Sequence, residues 1–412
     1  MKSPVTITSI ASGGDGVGRL SDGQVIFVPR AALGDVLTVD VKVSKARYAR
    51  GRIAEVVSPG PDRVSPKCPH YTEDDCGGCQ LQHVAAEMQR EIKKTIVNDA
   101  LQRIGGLEVR VAEVEPSPHD WRYRGKISLA SKRGTIGMRP FDLPDSVFEL
   151  DDCLLAKDPV MRLWGAVRGN RALLPPETDN LVLRVDRTGA THVLVSASAD
   201  PWDGEPLLAA LADDTMSIWW KPQNGAARVV AGSKTGYPAV AFEQVNLELA
   251  AAIRSELVEF LGDVDGKVVW DLYGGVGDTA ELLGRQGARV WTVDSDKAAV
   301  EWGRKRAELD STPAASVTRL AERVEDCAGR LPEPDLIVAN PPRAGLAKRL
   351  VKWLQGWGGK RAGVRLAYVS CDPATLARDL KDMQAFGVLM IKSYDMFPQT
   401  AHVETLTCLE AA

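Results

Sequence analysis

The sequence predicts three regions of different architecture in its 412 residues: a small antiparallel barrel of OB type over 1–60, a mixed α+β region over 61–235, and a doubly wound, mostly parallel α/β sheet over 236–412. Three observations predict this. Short alternating apolar and polar runs fill the first sixty positions; Pro59, Pro61 and Pro66 close them; and beyond Phe242 apolar strands alternate regularly with helices.

The barrel rests on runs such as Val25-Ile26-Phe27-Val28 and Val36-Leu37-Thr38-Val39-Asp40-Val41, about five strands cut by turns at Gly13-Gly14, Asp22-Gly23 and Leu33-Gly34-Asp35. In the middle region the spacing predicts a helix over 84–104. It also predicts strands over 126–130, 135–138, 181–185 and 192–195, with no derivable topology. The last region has strands over 267–272, 288–294, 335–339, 365–370, 388–391 and 405–409. In such sheets ligands bind beyond the carboxyl ends of the strands, so the chemistry is expected there.

With 44% hydrophobic and 26% charged residues and no run of about 18 apolar residues, the composition is that of a soluble globular protein without a membrane span. The opening residues pass straight into a strand pattern, and the expected location is cytoplasmic. Nothing signals an obligate protein partner. The net charge of −4 is unusual for a binder of nucleic acid, but the stretch from Lys42 to Arg63 is locally basic, with Lys42, Lys45, Arg47, Arg50, Arg52 and Arg63 against Glu55 and Asp62. Three of seven cysteines, Cys68, Cys76 and Cys79, crowd together, which in a reducing compartment reads as a metal or cluster site.

Asp271-Leu272-Tyr273-Gly274-Gly275-Val276-Gly277-Asp278 ends the first strand of the sheet and Asp294 the second, roughly twenty residues on, as in an adenosine pocket. The glycine order is not that of a dinucleotide site; S-adenosylmethionine, which has no pyrophosphate, fits better. Ser370-Cys371-Asp372-Pro373 places Cys371 between a strand end and a helix start, where the helix dipole is expected to lower its thiol pKa. Cys327 and Cys408 read as core residues. Asn340-Pro341-Pro342-Arg343 ends another strand, with an arginine where methyltransferases acting on amino nitrogens carry an aromatic ring. Glu404, in the turn before the last strand, is a candidate proton acceptor.

Together these segments, with Gly16-Val17-Gly18-Arg19, Val28-Pro29, Phe242-Glu243-Gln244-Val245-Asn246 and His402-Val403-Glu404, resemble the RNA 5-methyluridine methyltransferases. The closest likeness is to the 23S ribosomal RNA branch, which carries a TRAM domain and an iron–sulfur cluster. The resemblance implies a TRAM barrel, a central iron–sulfur domain and a Rossmann-like class I methyltransferase domain. It implies Cys371 as nucleophile toward carbon 6 of uridine, Glu404 as base, and Gln244, Tyr273, Asp294 and Asn340 around S-adenosylmethionine, with Asp278 a weaker candidate. The target base is expected to be flipped out of the RNA. With Cys153, the residues Cys68, Cys76 and Cys79 supply four thiolates; their spacing leaves a [4Fe-4S] cluster and a zinc site both open, and the resemblance favours iron–sulfur. Two departures stand out: Asn340 replaces the family's usual aspartate, and residues 69–75 form a longer loop than the commoner pattern. The alternatives are a transfer-RNA substrate, an RNA cytosine carbon-5 methyltransferase, or a non-catalytic RNA-binding assembly factor.

Overall fold

The computed structural model describes residues 2–197, 201–213, 215–234, 241–309 and 316–412. The expected boundary near 235 falls outside them. Contacts divide the chain into two compact units. The first takes in residues up to Ile92, then His119–Thr235 and Phe397–Ala401; the second takes in Lys93–Pro118, Gly236–Met396 and His402–Ala412.

In the first unit the alternating N-terminal runs form a six-stranded sheet in the order Lys2–Thr6, Val36–Ser44, Tyr48–Ser58, Val25–Val28, Gly16–Arg19, Ser9–Ile10. Inward residues Val5, Ile7, Ile26, Val28, Leu37 and Val39 make its small core, as a period of two requires. The crossing strands pack so tightly that a Cβ on Gly18 would stand 2.4 Å from Val5 Cγ1. The proline segment after the barrel is tied down. The buried Asp35 carboxylate accepts from the amides of Gly60 (2.9 Å) and Ala32 (2.6 Å) and from Arg63 Nε (2.9 Å). Burial pushes the Asp35 carboxyl up, but these bonds outweigh it and hold it below its usual value.

The topology that periodicity could not supply is a seven-stranded sheet. Its order is Phe148–Glu149, Thr135–Met138, Lys126–Lys132, Asn180–Val185, Thr191–Ala197, Ser217–Pro222, Arg228–Gly232. All neighbours are antiparallel except Thr191–Ala197 with Ser217–Pro222, and a parallel pair needs a crossover, here carrying the helix Glu205–Leu211. Helix Asp158–Gly169 buries Val160, Leu163, Trp164 and Val167 in the same core.

The second unit holds an eight-stranded sheet ordered Val317–Ala321, Arg289–Asp294, Val268–Leu272, Leu336–Ala339, Arg365–Ser370, Glu404–Ala411, Phe386–Tyr394, Val114–Glu115. Glu404–Ala411 runs antiparallel to both neighbours, and every other pairing is parallel. The doubly wound class therefore holds, with one inverted strand. The predicted helix over 84–104 is Ala86–Ala100 continued by a π-helical turn, Leu101–Gly105. Lys93, fully buried, pairs with buried Asp395. No helix among the described residues is long and apolar enough to cross a membrane.

Candidate active site

Five of the six expected site residues of the second unit lie at or just beyond the ends of its strands, because β/α alternation leaves the loops there. Val268–Leu272 is buried throughout, and its end turns through Tyr273, whose φ of 60° is left-handed. At Gly274 a Cβ would meet Thr292 Oγ1 at 2.2 Å and Asp271 Oδ2 at 2.4 Å, so only glycine lets the loop fold back. Asp294, ending the next strand, accepts from Gly275 N (2.9 Å) on one oxygen and from Asp296 N (2.8 Å) on the other. Each oxygen keeps a lone pair for a ribose hydroxyl. The cradle thus fits an adenosine moiety by both its shape and its acceptor.

Asp271, beneath that loop, was not singled out by sequence. Burial pushes its carboxyl up to about 6, opposed by the bond it accepts from Thr292 Oγ1 (2.9 Å). The Tyr273 ring packs on the hydrophobic core and its hydroxyl is buried, so this residue offers the loop its backbone rather than its phenol. Asp278 is engaged by Arg306 at 2.9 Å, which leaves its carboxylate committed to the protein. Half-buried Asn340 donates its backbone N–H to the Leu272 carbonyl (3.1 Å), joining the third motif to the first through the main chain. Gln244 is half-buried in the segment that leads to helix Leu247–Leu261. Asn246 in the same motif caps that helix, accepting from Leu249 N (3.3 Å), and also donates to Ser117 Oγ (2.8 Å). An asparagine just before an apolar helical run was the signal for it.

Cys371 and Glu404 come together through strand register. Ser370 pairs with Thr405, and one step further the antiparallel register sets Cys371 level with Glu404. The expected lowering of the thiol does not occur: burial and the Glu404 charge push Cys371 up to about 11, against a smaller opposing pull from Arg343. Burial is the largest cause, and the adjacent Asp372 carboxylate adds only a small upward push. Asp372 caps helix Pro373–Asp382, accepting from Thr375 N (2.8 Å), and sets a carboxylate against the helix's positive end.

Glu404, the candidate proton acceptor, is 1% exposed. Burial pushes it up to about 8, with Arg343 acting the other way. Its Oε2 has no hydrogen-bond partner among the described residues. A buried carboxyl that gives up solvation without a partner is costly, a pattern characteristic of groups kept for chemistry. Arg343, itself exposed, favours the charged form of both Cys371 and Glu404.

In the first unit, Cys68, Cys76, Cys79 and Cys153 are all free thiols, and Cys153 acts electrostatically on each of the other three. Burial raises Cys68, lifts Cys76 to about 11 and Cys79 to about 12. Among the described residues no three His, Cys, Asp or Glu side chains stand in ligand geometry about one point. The four sulfurs are unbridged, and the metal centre expected from the sequence is therefore not assembled among the described residues.

Residues 2–54 match the TRAM domain, and residues 229–412 match the tRNA (uracil-5-)-methyltransferase family. An RNA methyltransferase of Corynebacterium efficiens is 31% identical, covering 98% of this chain and 93% of its own length. A 23S rRNA (uracil(1939)-C(5))-methyltransferase of Alkalilimnicola ehrlichii is 29% identical over 98% of this chain and 96% of its own. The crystal structure of the tRNA (uracil-54, C5)-methyltransferase of Pyrococcus abyssi in complex with S-adenosyl-L-homocysteine superposes with a TM-score of 0.74 at 27% identity, covering 99% of both chains.

Proposed function

Since the chain belongs to the RNA (uracil-5-)-methyltransferase family, an S-adenosylmethionine-dependent class of enzyme, we propose that it methylates carbon 5 of a uridine in 23S ribosomal RNA through a transient bond between Cys371 and carbon 6. The observation that carries this reading is the register that sets a half-buried thiol level with a buried carboxyl at one sheet end. S-adenosylmethionine supplies an electrophilic sulfonium methyl. Gly274 lets the loop fold back onto Thr292 and Asp271, Asp294 offers lone pairs to the ribose, and Gln244, the Tyr273 backbone and Asn340 complete the lining.

Carbon 5 of uracil is a poor nucleophile. The Cys371 thiolate adds to carbon 6, and the carbon 5–carbon 6 pair moves toward O4 as an enolate. Carbon 5 then takes the methyl group as the bond from the sulfonium sulfur to that methyl breaks, its electron pair staying on sulfur and leaving S-adenosyl-L-homocysteine. Glu404 accepts the proton left on carbon 5; that C–H pair restores the double bond, and the bond from sulfur to carbon 6 breaks to return the thiolate. Arg343 opposes the burial that disfavours both anions. Cys68, Cys76, Cys79 and Cys153 are the residues that would hold a [4Fe-4S] cluster, which would serve a structural or RNA-positioning role and take no part in methyl transfer.

A transfer-RNA substrate is the second reading. The barrel and cysteine block were the sequence argument for ribosomal RNA, but the Pyrococcus abyssi tRNA enzyme is matched over 99% of its length, so architecture alone does not separate the substrates. Mapping 5-methyluridine in ribosomal and transfer RNA from cells with and without the gene tests the choice. RNA containing 5-fluorouridine should trap a covalent adduct with the wild type. An adduct of equal yield with Cys371→Ala would refute the nucleophile.

A further inference from the structure

The basic stretch noted in the sequence is not used by the methyl-transfer residues, all of which belong to the other unit. In the first unit three of its residues, Lys42, Arg50 and Arg52, line a cavity of about 420 Å³, together with the glycine turn at Gly14, the segment carrying Cys79 and Gln80, and the separate turn carrying Phe141. Arg30, Lys42, Arg50 and Arg52 face it, against the carboxylates of Asp15 and Asp142.

The four cations are not equivalent. Arg30 is committed to structure: it lies 4.0 Å from the Tyr71 ring centroid and 4.6 Å from that of Phe141, and it bonds Asp75 (3.0 Å), the Cys76 carbonyl (3.0 Å) and the Tyr71 carbonyl. Arg52 lies 4.9 Å from the Phe141 centroid and pairs with Asp75 (3.3 Å) and Asp142. Rings and guanidiniums thus alternate as Tyr71, Arg30, Phe141, Arg52. A guanidinium at the end of such a series, fixed by two carboxylates, can serve as a stacking platform for a nucleobase.

Arg50 and Lys42 are looser. Arg50 is 59% exposed with Asp15 3.7 Å away, and Lys42 is 55% exposed beside Asp40. Both are placed to meet a phosphate from solvent. Inside, the Gln80 Oε1 is buried without a hydrogen-bond partner among the described residues, an acceptor suited to a base N–H. The volume lies in the usual range for a small-molecule pocket, roughly 300–1,000 Å³, and exceeds what a bare anion needs.

We propose that this cavity holds one unstacked nucleotide of the substrate RNA, its base on the Arg52 end of the series and its phosphate on Arg50 and Lys42. The inference rests on the RNA-methylating reading but concerns a second subsite that does no chemistry.

The test compares full-length wild type with K42Q/R50Q and with K45Q/R47Q, which removes the same charge from exposed positions outside the cavity lining. The probe is deproteinised ribosomal RNA from cells lacking the gene, with affinity measured across a salt series and phosphate protection read by hydroxyl-radical footprinting. K42Q/R50Q should bind about tenfold more weakly, lower the salt slope by about 1, and lose protection at one nucleotide other than the methylated uridine. K45Q/R47Q should keep that protection. If wild type methylates this RNA while both double variants lose affinity equally, or K42Q/R50Q keeps its footprint, the subsite is refuted and the catalytic reading stands. If wild type neither binds nor methylates ribosomal or transfer RNA, both fall.

Discussion

Replacing Glu404 with glutamine should abolish turnover and, above neutral pH, make the protein more stable. The Glu404 carboxyl is 1% exposed, and burial lifts it from 4.5 to about 8. Between those values the folded chain binds a proton that the unfolded chain has released, so stability is fully present below the unfolded value and is lost as pH rises through the folded one. Integrating over that window, the group costs roughly 1 kcal/mol at pH 5.5, roughly 3 at pH 7 and roughly 5 at pH 9. Glutamine never ionises, but its amide is left buried without a partner at a cost of about 1–3 kcal/mol. Glu404→Gln should therefore match or fall slightly below the wild type in unfolding free energy at pH 5.5 and exceed it by about 2–4 kcal/mol at pH 9. The assay is urea unfolding of both proteins at the two pH values, with methyl transfer to RNA measured in parallel. A stability difference that does not grow with pH would refute the claim that desolvation governs this carboxyl. Full turnover by the variant would refute its role as base.

Three further outcomes follow from the same geometry. Arg343 favours both reactive anions, so Arg343→Gln should move the rising limb of the single-turnover pH profile up by about one unit, with Arg343→Lys recovering most of it; an unmoved limb counts against this electrostatic role. Gly274→Ala should weaken S-adenosyl-L-homocysteine binding by about ten- to a hundredfold in calorimetry, because its Cβ has 2.2 Å to Thr292 Oγ1, and unchanged affinity would mean the loop does not bear on the cofactor. Asp35→Asn leaves Arg63 without its buried partner and should cost about 3–5 kcal/mol near neutral pH. Because that carboxyl sits below 3.8 in the folded state, the wild type should lose more stability than the variant as pH falls through the folded value, and parallel acid unfolding of the two proteins would contradict this.

Much of the architecture was legible because periodicity is a local property. Alternation marked the barrel, and continuous apolar runs marked the buried strands from Val268–Leu272 onward. Short or edge strands such as Val114–Glu115 and Val317–Ala321 carry too little pattern to be seen, and the parallel pairing within the middle sheet is a long-range choice that no window of sequence contains. Motif spacing likewise named Cys371, Asp294 and Glu404, since each stands at a strand end that the β/α alternation defines.

The sequence by itself determined the classes of fold and the residue types available for chemistry, because backbone preference and hydrophobic period act between near neighbours in the chain. The tertiary structure alone decided their electrostatics. It inverted the final strand so that Glu404, adjoining Thr405, stands beside the end of the strand that leads to Cys371, buried that carboxyl, and desolvated the thiol that the helix dipole was expected to activate. Solvation and Coulomb energies depend on everything packed around a group, and for these residues the decisive neighbours, Glu404 for Cys371 and Arg343 for both, are distant in the chain.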